Sequence, residues 1–352
     1  MRIGILTSGG DAPGMNAAVR TVAVAGVARN HEVWGIHAGY EGLLGRDAAR
    51  LPLAQVDGIS RLGGTILGSS RSASFPTPEG QARAKESLRA LGLDALVVVG
   101  GNGSLTGAHV LGAERPCTIV GIPASIDNDI GHCGLAIGVD TAVNTIVEAC
   151  DRISDTARSH RRAFVVEVMG RQSGYLAMRA GLAAEADAIL YGERGLSEDE
   201  LVARLRELLR ARLQPERGQA RALIIKAEGV KVPTGKLVAR LSEHLKQDVP
   251  GVDIRETVLG HVVRGGNPSA LDRLIAQRLG YAALVACESG VHDVMVSWDV
   301  PGGFGQKTAD PSVRAVPIAD VLAETAKLLD GSSPVARRRM ELLAQVENLL
   351  AL

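Results

Sequence analysis

Apolar residues recur along this chain with two periods. Short aliphatic and β-branched runs alternate with longer segments in which apolar positions return every three or four residues, the patterns of buried strands and amphipathic helices. The runs at residues 3–6, 32–36, 95–99, 118–122, 163–168, 186–190, 222–226, 257–259 and 293–297 read as strands. Residues 15–28, 79–91, 140–157, 174–184, 198–213, 236–245 and 270–287 read as helices. Such alternation predicts parallel βαβ units and an α/β fold, with a central sheet covered on both faces. Ligands of open parallel sheets sit outside the carboxyl ends of the strands. Segments 8–14, 100–104, 123–130, 169–172 and 227–230 each follow a predicted strand, so they are expected to gather along one edge.

Composition narrows the function classes. At 352 residues and 46% hydrophobic, the chain can build two domains or one large α/β domain. Lys plus Arg and Asp plus Glu both count 39, and only 2 Trp, 4 Tyr and 3 Phe are present. No global field draws in a polyanion and few rings can stack on bases, so no nucleic-acid partner is expected. Cys117, Cys133, Cys150 and Cys287 lack C-x-x-C spacing and read as reduced core thiols, which fits the cytoplasm. The first residues run straight into a glycine loop, too short for a signal-peptide core, and no stretch of about 18 apolar residues occurs. A cytoplasmic protein with no membrane partner is expected.

Three loops carry candidate chemistry. In Ser8-Gly9-Gly10-Asp11, glycines stand where a strand turns into a helix, so backbone N–H groups can face an anion; a tight turn that merely needs glycine is the alternative. Gly100-Gly101-Asn102-Gly103-Ser104 would let a phosphate chain approach the backbone, with Ser104 capping the next helix. It is neither G-x-G-x-x-G nor a Walker A loop, and the segment from Gly63 to Ser70 has Walker glycine spacing without the lysine. Asp127 and Asp129 stand two apart after a strand; in extended backbone both would face one ligand while Asn128 faces elsewhere. An Asx turn is the alternative for this pair. Arg71, Arg162, Arg171, Arg255 and Arg264 lie in similar loops; an arginine's planar fork suits phosphate, and a surface ion pair is the ordinary fate of any one of them. His261 has no second histidine at metal spacing and reads equally as a core histidine.

In these segments, together with residues 4–20, 61–71, 165–171 and 255–273, the chain resembles the bacterial-type 6-phosphofructokinases. Their order and spacing hold over roughly residues 1–300. The resemblance implies two Rossmann-like three-layer α/β/α domains with a cleft between them: residues 1–138 with about 263–311 for nucleotide, and residues 139–262 with about 312–352 for sugar phosphate. It implies transfer of the γ-phosphoryl of ATP to the 1-hydroxyl of fructose 6-phosphate, with Mg²⁺, in a homotetramer. Asp127 would be the general base, Ser125 would hold the transferring group, and Arg171 and Arg71 would stabilise it. Arg162, Met169, Gly170, Arg171, Glu228, Arg255, His261 and Arg264 would join Ser125 and Asp127 in contacting the sugar phosphate, with Arg162 and Arg255 reaching in from a neighbouring subunit. Gly10, Tyr40, Arg71, Gly101, Asn102, Gly103, Ser104 and Gly107 would line the nucleotide side, with Asn102 and Asp129 at the metal.

The same resemblance marks departures. Asn102 stands where the family's magnesium-binding aspartate is expected, and an amide oxygen is a poorer ligand for a hard cation. Pyrophosphate-using relatives carry aspartate and lysine at the positions of Gly103 and Ala124; both residues here are small, which leaves room for ATP. Counterparts of the basic residues that bind ADP and phosphoenolpyruvate between subunits are Val24, Leu53 and Ser154, Glu185 replaces a glycine, and only Arg20 is kept. The alternatives are a pyrophosphate-dependent or relaxed sugar-phosphate kinase, and a catalytically impaired member with a regulatory binding role.

Overall fold

In the larger of two sheets the aliphatic runs at 95–99 and 118–122 become middle strands, and the short polar segments 48–50 and 306–307 become the edges. The structure, a computed structural model, describes residues 1–160, 162–213 and 221–350. Its strands in chain order are β1 (Arg2–Ser8), β2 (Glu32–Ile36), β3 (Ala48–Arg50), β4 (Ala95–Gly100), β5 (Thr118–Pro123), β6 (Arg162–Val168), β7 (Ala188–Leu190), β8 (Ala222–Ala227), β9 (Asp253–Val258), β10 (Val294–Trp298), β11 (Gln306–Lys307) and β12 (Val313–Pro317). The helices are α1 (Met15–Ala28), α2 (Gly39–Gly45), α3 (Leu53–Val56), α4 (Pro78–Ala90), α5 (Asn102–Gly112), α6 (Val139–His160), α7 (Tyr175–Ala183), α8 (Glu198–Arg212), α9 (Thr234–Asp248), α10 (Ala270–Glu288), α11 (Ile318–Leu329) and α12 (Pro334–Leu350).

Two sheets form where the alternation predicted one. The larger has the order β11-β12-β10-β5-β4-β1-β2-β3, and the smaller β7-β8-β6-β9. Parallel pairing runs from β10 through β5, β4 and β1 to β2, while β3, β12 and β11 pair antiparallel at the two edges. The smaller sheet is wholly parallel. The loops after β1, β4 and β5 therefore share one edge and those after β6 and β8 another, so the five expected loops divide between two sheets.

The chain divides into two compact units: Met1–Thr141 with Arg264–Asp330, and Ala142–Val263 with Gly331 onward. Residues 312–330 fall in the first unit, whereas the resemblance placed them in the second. The reason is pairing: β12 adds to β10 in register Val296 with Ala315, and α11 then packs on α5.

In the second unit, Ala163 and Val165 of β6 and Ala222 and Ile224 of β8 pack against Leu201, Leu205 and Leu209 of α8 and Leu237, Leu241 and Leu245 of α9. The i, i+4 leucines make one apolar stripe on each helix, and Ser197 with Glu200 closes a capping box at the start of α8. In the first unit, Gly280 of α10 lets α1 approach closely: a Cβ there would lie 3.1 Å from the Ala18 carbonyl. At the start of α10 the fully buried Asp272 carboxylate accepts Gly138 N at 2.8 Å, Thr141 N at 2.7 Å and Thr141 Oγ1 at 2.5 Å.

All four cysteines are free thiols, and burial pushes Cys117, Cys150 and Cys287 up to about 12, so they are inert at neutral pH. Both tryptophans lie in the first unit, Trp34 on β2 and Trp298 on β10 with the Arg278 guanidinium 4.5 Å from its ring. No described helix is long and apolar enough to cross a membrane.

Candidate active site

Register places three loops side by side. Ser8 pairs with Gly100 and Gly100 with Pro123, so Gly9, Gly101 and Ala124 leave the sheet in one row. At this row β2 lies on one side of β1 and β4 on the other, the switch point at which open α/β sheets take ligands.

The glycines are required by contact and by conformation. A Cβ on Gly100 would come within 2.5 Å of Ser8 O and of Ser104 Oγ, whereas one on Gly103 would meet nothing within 4 Å. Gly9 has φ +85°, in the left-handed region that favours glycine. Helix α5 starts at Asn102 with Gly101 as its N-cap, no capping side chain and no acid in its first turn. Its first N–H groups are thus available to an anion. Ser104, expected as the cap, instead sits buried in that first turn, because the helix is capped three residues earlier, at Gly101. Its carbonyl accepts Tyr40 Oη at 2.6 Å.

Tyr40 itself is buried and stacked on Phe75 at 4.0 Å, and both rings occupy the space that a Cβ on Gly107 would enter. Burial pushes its phenol far above the ordinary range. Tyr40 and Gly107 therefore support α5 from behind.

The acidic loop is a turn rather than an extended segment. Residues 126–127 form the turn and Asn128 takes φ +46°. The outcome still matches the expected alternation. Asn128 is buried, giving Nδ2 to Gly134 O at 3.1 Å and accepting Ala136 N at 3.0 Å, while Asp127 and Asp129 stay half-buried. Asp127 N donates to Ser125 Oγ at 3.3 Å, Ser125 Oγ donates to Asp129 Oδ1 at 3.3 Å, and Asn102 Nδ2 donates to Asp129 Oδ2 at 2.9 Å. Asn102 Oδ1 in turn accepts Thr325 Oγ1 at 3.5 Å. The elements thus bring Asp127, the Asp129 carboxylate held by two donors and an uncapped helix start to one edge.

Arg71 is exposed, two residues after Ser69, whose hydroxyl donates to the Gly9 carbonyl. Arg264 belongs to the first unit: its Nη1 donates to Asp11 O at 3.2 Å and would lie 2.8 Å from a Cβ on Gly10.

The second unit assembles a separate set. Val168 and Ala227 are in register at the ends of β6 and β8, Glu228 N donates to Val168 O at 2.9 Å, and Gly229 N donates to Gly170 O at 3.1 Å. Met169, Gly170, Arg171 and Glu228 are therefore joined. β9 ends beside them, with Leu259 N on Glu167 O at 3.0 Å, and leads to the exposed His261. Arg162 and Arg255 are elsewhere. They share Asp253, Arg255 Nη2 at 2.6 Å and Arg162 Nε at 3.9 Å. Arg162 opens β6 whereas Met169 follows its end, ~20 Å away at a strand's rise per residue.

Two supporting residues escaped the sequence reading. Asn16 holds residues 62–66 through Leu62 O at 3.1 Å, Gly63 O at 3.2 Å and Ile66 N at 2.8 Å, and Thr325 holds Asn102 and Gly131. Each is a polar residue on an otherwise apolar helix stripe, a signal that was readable.

The sequence profile described as Phosphofructokinase matches residues 2–287. The chain belongs to the phosphofructokinase family. An ATP-dependent 6-phosphofructokinase of Thermotoga neapolitana is 47% identical over 296 residues, which are 84% of this chain and 89% of that one. The crystal structure of Pichia pastoris phosphofructokinase in the T-state matches with TM-score 0.87 and 34% identity, over 99% of this chain; this chain spans 39% of that longer one. A pyrophosphate-dependent phosphofructokinase from Marinobacter aquaeolei, at 19% identity and TM-score 0.76 over 97% of this chain and 91% of that one, shares the fold alone. The phosphofructokinase profile stops before β10, so Thr325 on α11 lies beyond it.

Proposed function

We propose that this protein is an ATP-dependent 6-phosphofructokinase, forming fructose 1,6-bisphosphate and ADP from D-fructose 6-phosphate and ATP. The observation that supports it most is the shared edge of the first sheet, where an uncapped helix start and the Asp127 loop stand together in a chain 47% identical to an ATP-dependent 6-phosphofructokinase.

Gly101, Asn102, Gly103 and Ser104 present the start of α5 to the phosphates, with Gly10 and Arg71 beside them and Tyr40 and Gly107 supporting the helix. Asp127 accepts the proton of the sugar 1-hydroxyl as its oxygen attacks phosphorus. Ser125, Arg171 and Arg71 stabilise charge that spreads over the transferring oxygens. Met169, Gly170, Arg171, Glu228, His261 and Arg264 hold the sugar phosphate. Arg162 and Arg255, remote from Met169 along the strand, serve a neighbouring subunit of a homotetramer.

Magnesium would enter with the nucleotide. One carboxylate with phosphate oxygens and water is an ordinary magnesium set, and Asp129 fits that part. Asn102, engaged between Asp129 and Thr325, orients the carboxylate rather than adding a ligand. When bound, the ion supplies positive charge to the phosphates.

Purified protein is assayed for fructose 1,6-bisphosphate with ATP or pyrophosphate, beside Asp127→Ser. ATP should support turnover and pyrophosphate should not, and the variant should lose about 10²- to 10⁴-fold in kcat, the ordinary contribution of a general base. Product with pyrophosphate alone, or with neither donor, would overturn the reading. Unchanged turnover in the variant would remove Asp127 from its role.

A further inference from the structure

We propose that Lys226, Glu167 and Thr234 form a positioning device that holds the sugar-phosphate loops of the second unit in register; this rests on the function proposed above. The apolar rows of β6 and β8 that face α8 and α9 run Ala163, Val165 and Ala222, Ile224. The next members of those rows are Glu167 and Lys226, register partners across the two strands. Lys226 is the largest fully buried side chain among the described residues, 1% exposed. Folding alone does not ask for a charged pair here, since apolar replacements of buried ion pairs are often neutral or stabilising.

The geometry concentrates on one oxygen. Lys226 Nζ donates to Glu167 Oε2 at 2.9 Å and lies 3.5 Å from the Ala227 carbonyl. Thr234 Oγ1, on the first residue of α9, donates to the same Oε2. Burial raises the Glu167 carboxyl, but the Thr234 and Lys226 hydrogen bonds outweigh it and hold the group below its ordinary value. The carboxylate therefore stays charged and ties β6, β8 and α9 together.

Its place is what gives the network a functional reading. Glu167 stands two residues before Met169, and Lys226 two residues before Glu228. The backbone carbonyl of Glu167 also takes Leu259 N, at the segment leading to His261. The loops themselves meet by backbone: a Cβ on Gly229 would lie 2.3 Å from Arg171 O. A rotation of the β6 end would therefore move Met169, Arg171 and Glu228 together.

Three variants of the full chain test this: Lys226→Met, Thr234→Val and the double variant Lys226→Met/Glu167→Gln. Losing a hydrogen bond to a charged group in Lys226→Met should raise KM for fructose 6-phosphate about tenfold, with kcat and KM for ATP within about twofold of the parent. In Thr234→Val the rise should be about threefold, for a neutral donor lost to the same oxygen. The double variant strands no charge and should recover Tm toward the parent, but with the tie gone its KM for fructose 6-phosphate should stay raised about tenfold. A fall in Tm with KM for fructose 6-phosphate unchanged in the folded variants would make the network purely structural and overturn the proposal. If Lys226→Met does not fold, Thr234→Val and the double variant decide by the same criteria. A parent protein that turns over no fructose 6-phosphate would overturn the function itself; a parent that does, with insensitive variants, would overturn only this inference.

Discussion

Asn102 changes what its neighbour can do through a single N–H. By donating to Asp129 Oδ2 at 2.9 Å it fixes the carboxylate without adding charge. An Asn102→Asp variant would put two carboxylates at that distance, an arrangement that favours a shared cation. The magnesium concentration for half-maximal rate should then fall about tenfold, one pK-sized step of electrostatic interaction; an unchanged magnesium dependence would sink this account. At this scale the sequence was partly legible. The spacing of Asp127 and Asp129 predicted that Asn128 turns away from them, and Asn128 is indeed buried between the two half-buried aspartates. This arrangement is reached through a turn, because asparagine tolerates the left-handed backbone at Asn128. Ser104 was misjudged because glycine also serves as an N-cap, which shifted the helix start.

Several elements with a strong period were read well, but the amphipathic helix α11 was missed along with short non-local strands. Residues 15–28 emerge as α1 unchanged, and α8 and α10 end within one residue of expectation. β3 and β11 were missed because they are edge strands of three and two residues, with Arg, Gln and Lys among them, and β12 because no local pattern announces its antiparallel pairing between β10 and β11. The start of α5 offers a test of what its glycines do. Gly100→Ala forces a methyl toward the Ser8 carbonyl between paired strands and should destabilise by about 2 kcal/mol, as overpacking does. Gly103→Ala meets open space and should leave stability unchanged within about 0.5 kcal/mol, while raising KM for ATP by crowding the phosphate side. Denaturant unfolding and ATP titration separate the two; equal stability loss would show that α5 packs differently.

The whole molecule rests on two units, and the sequence drew neither boundary from composition; the resemblance supplied them and placed residues 312–330 in the wrong one, because the β12 pairing is invisible locally. Regulation belongs to this scale. Ser154 is buried and accepts Arg221 Nη1 at 3.2 Å, Leu53 is exposed, and Glu185 is exposed and acidic. An anionic effector meets an acid at Glu185, no charge at Leu53, and at Ser154 only a guanidinium already engaged with the serine, so ADP and phosphoenolpyruvate should leave the rate curves unshifted. Sigmoidal kinetics relieved by ADP would refute this.

The placement of Trp34 and Trp298 has a spectroscopic corollary. The chain has 2 tryptophans, and both report on the first unit. Tryptophan emission is therefore blind to the second sheet, whereas far-UV circular dichroism sees helices in both units. Where emission and dichroism diverge during denaturation, the difference isolates the unit that carries Lys226. A tryptophan placed at Phe164 of β6 would make that unit visible directly.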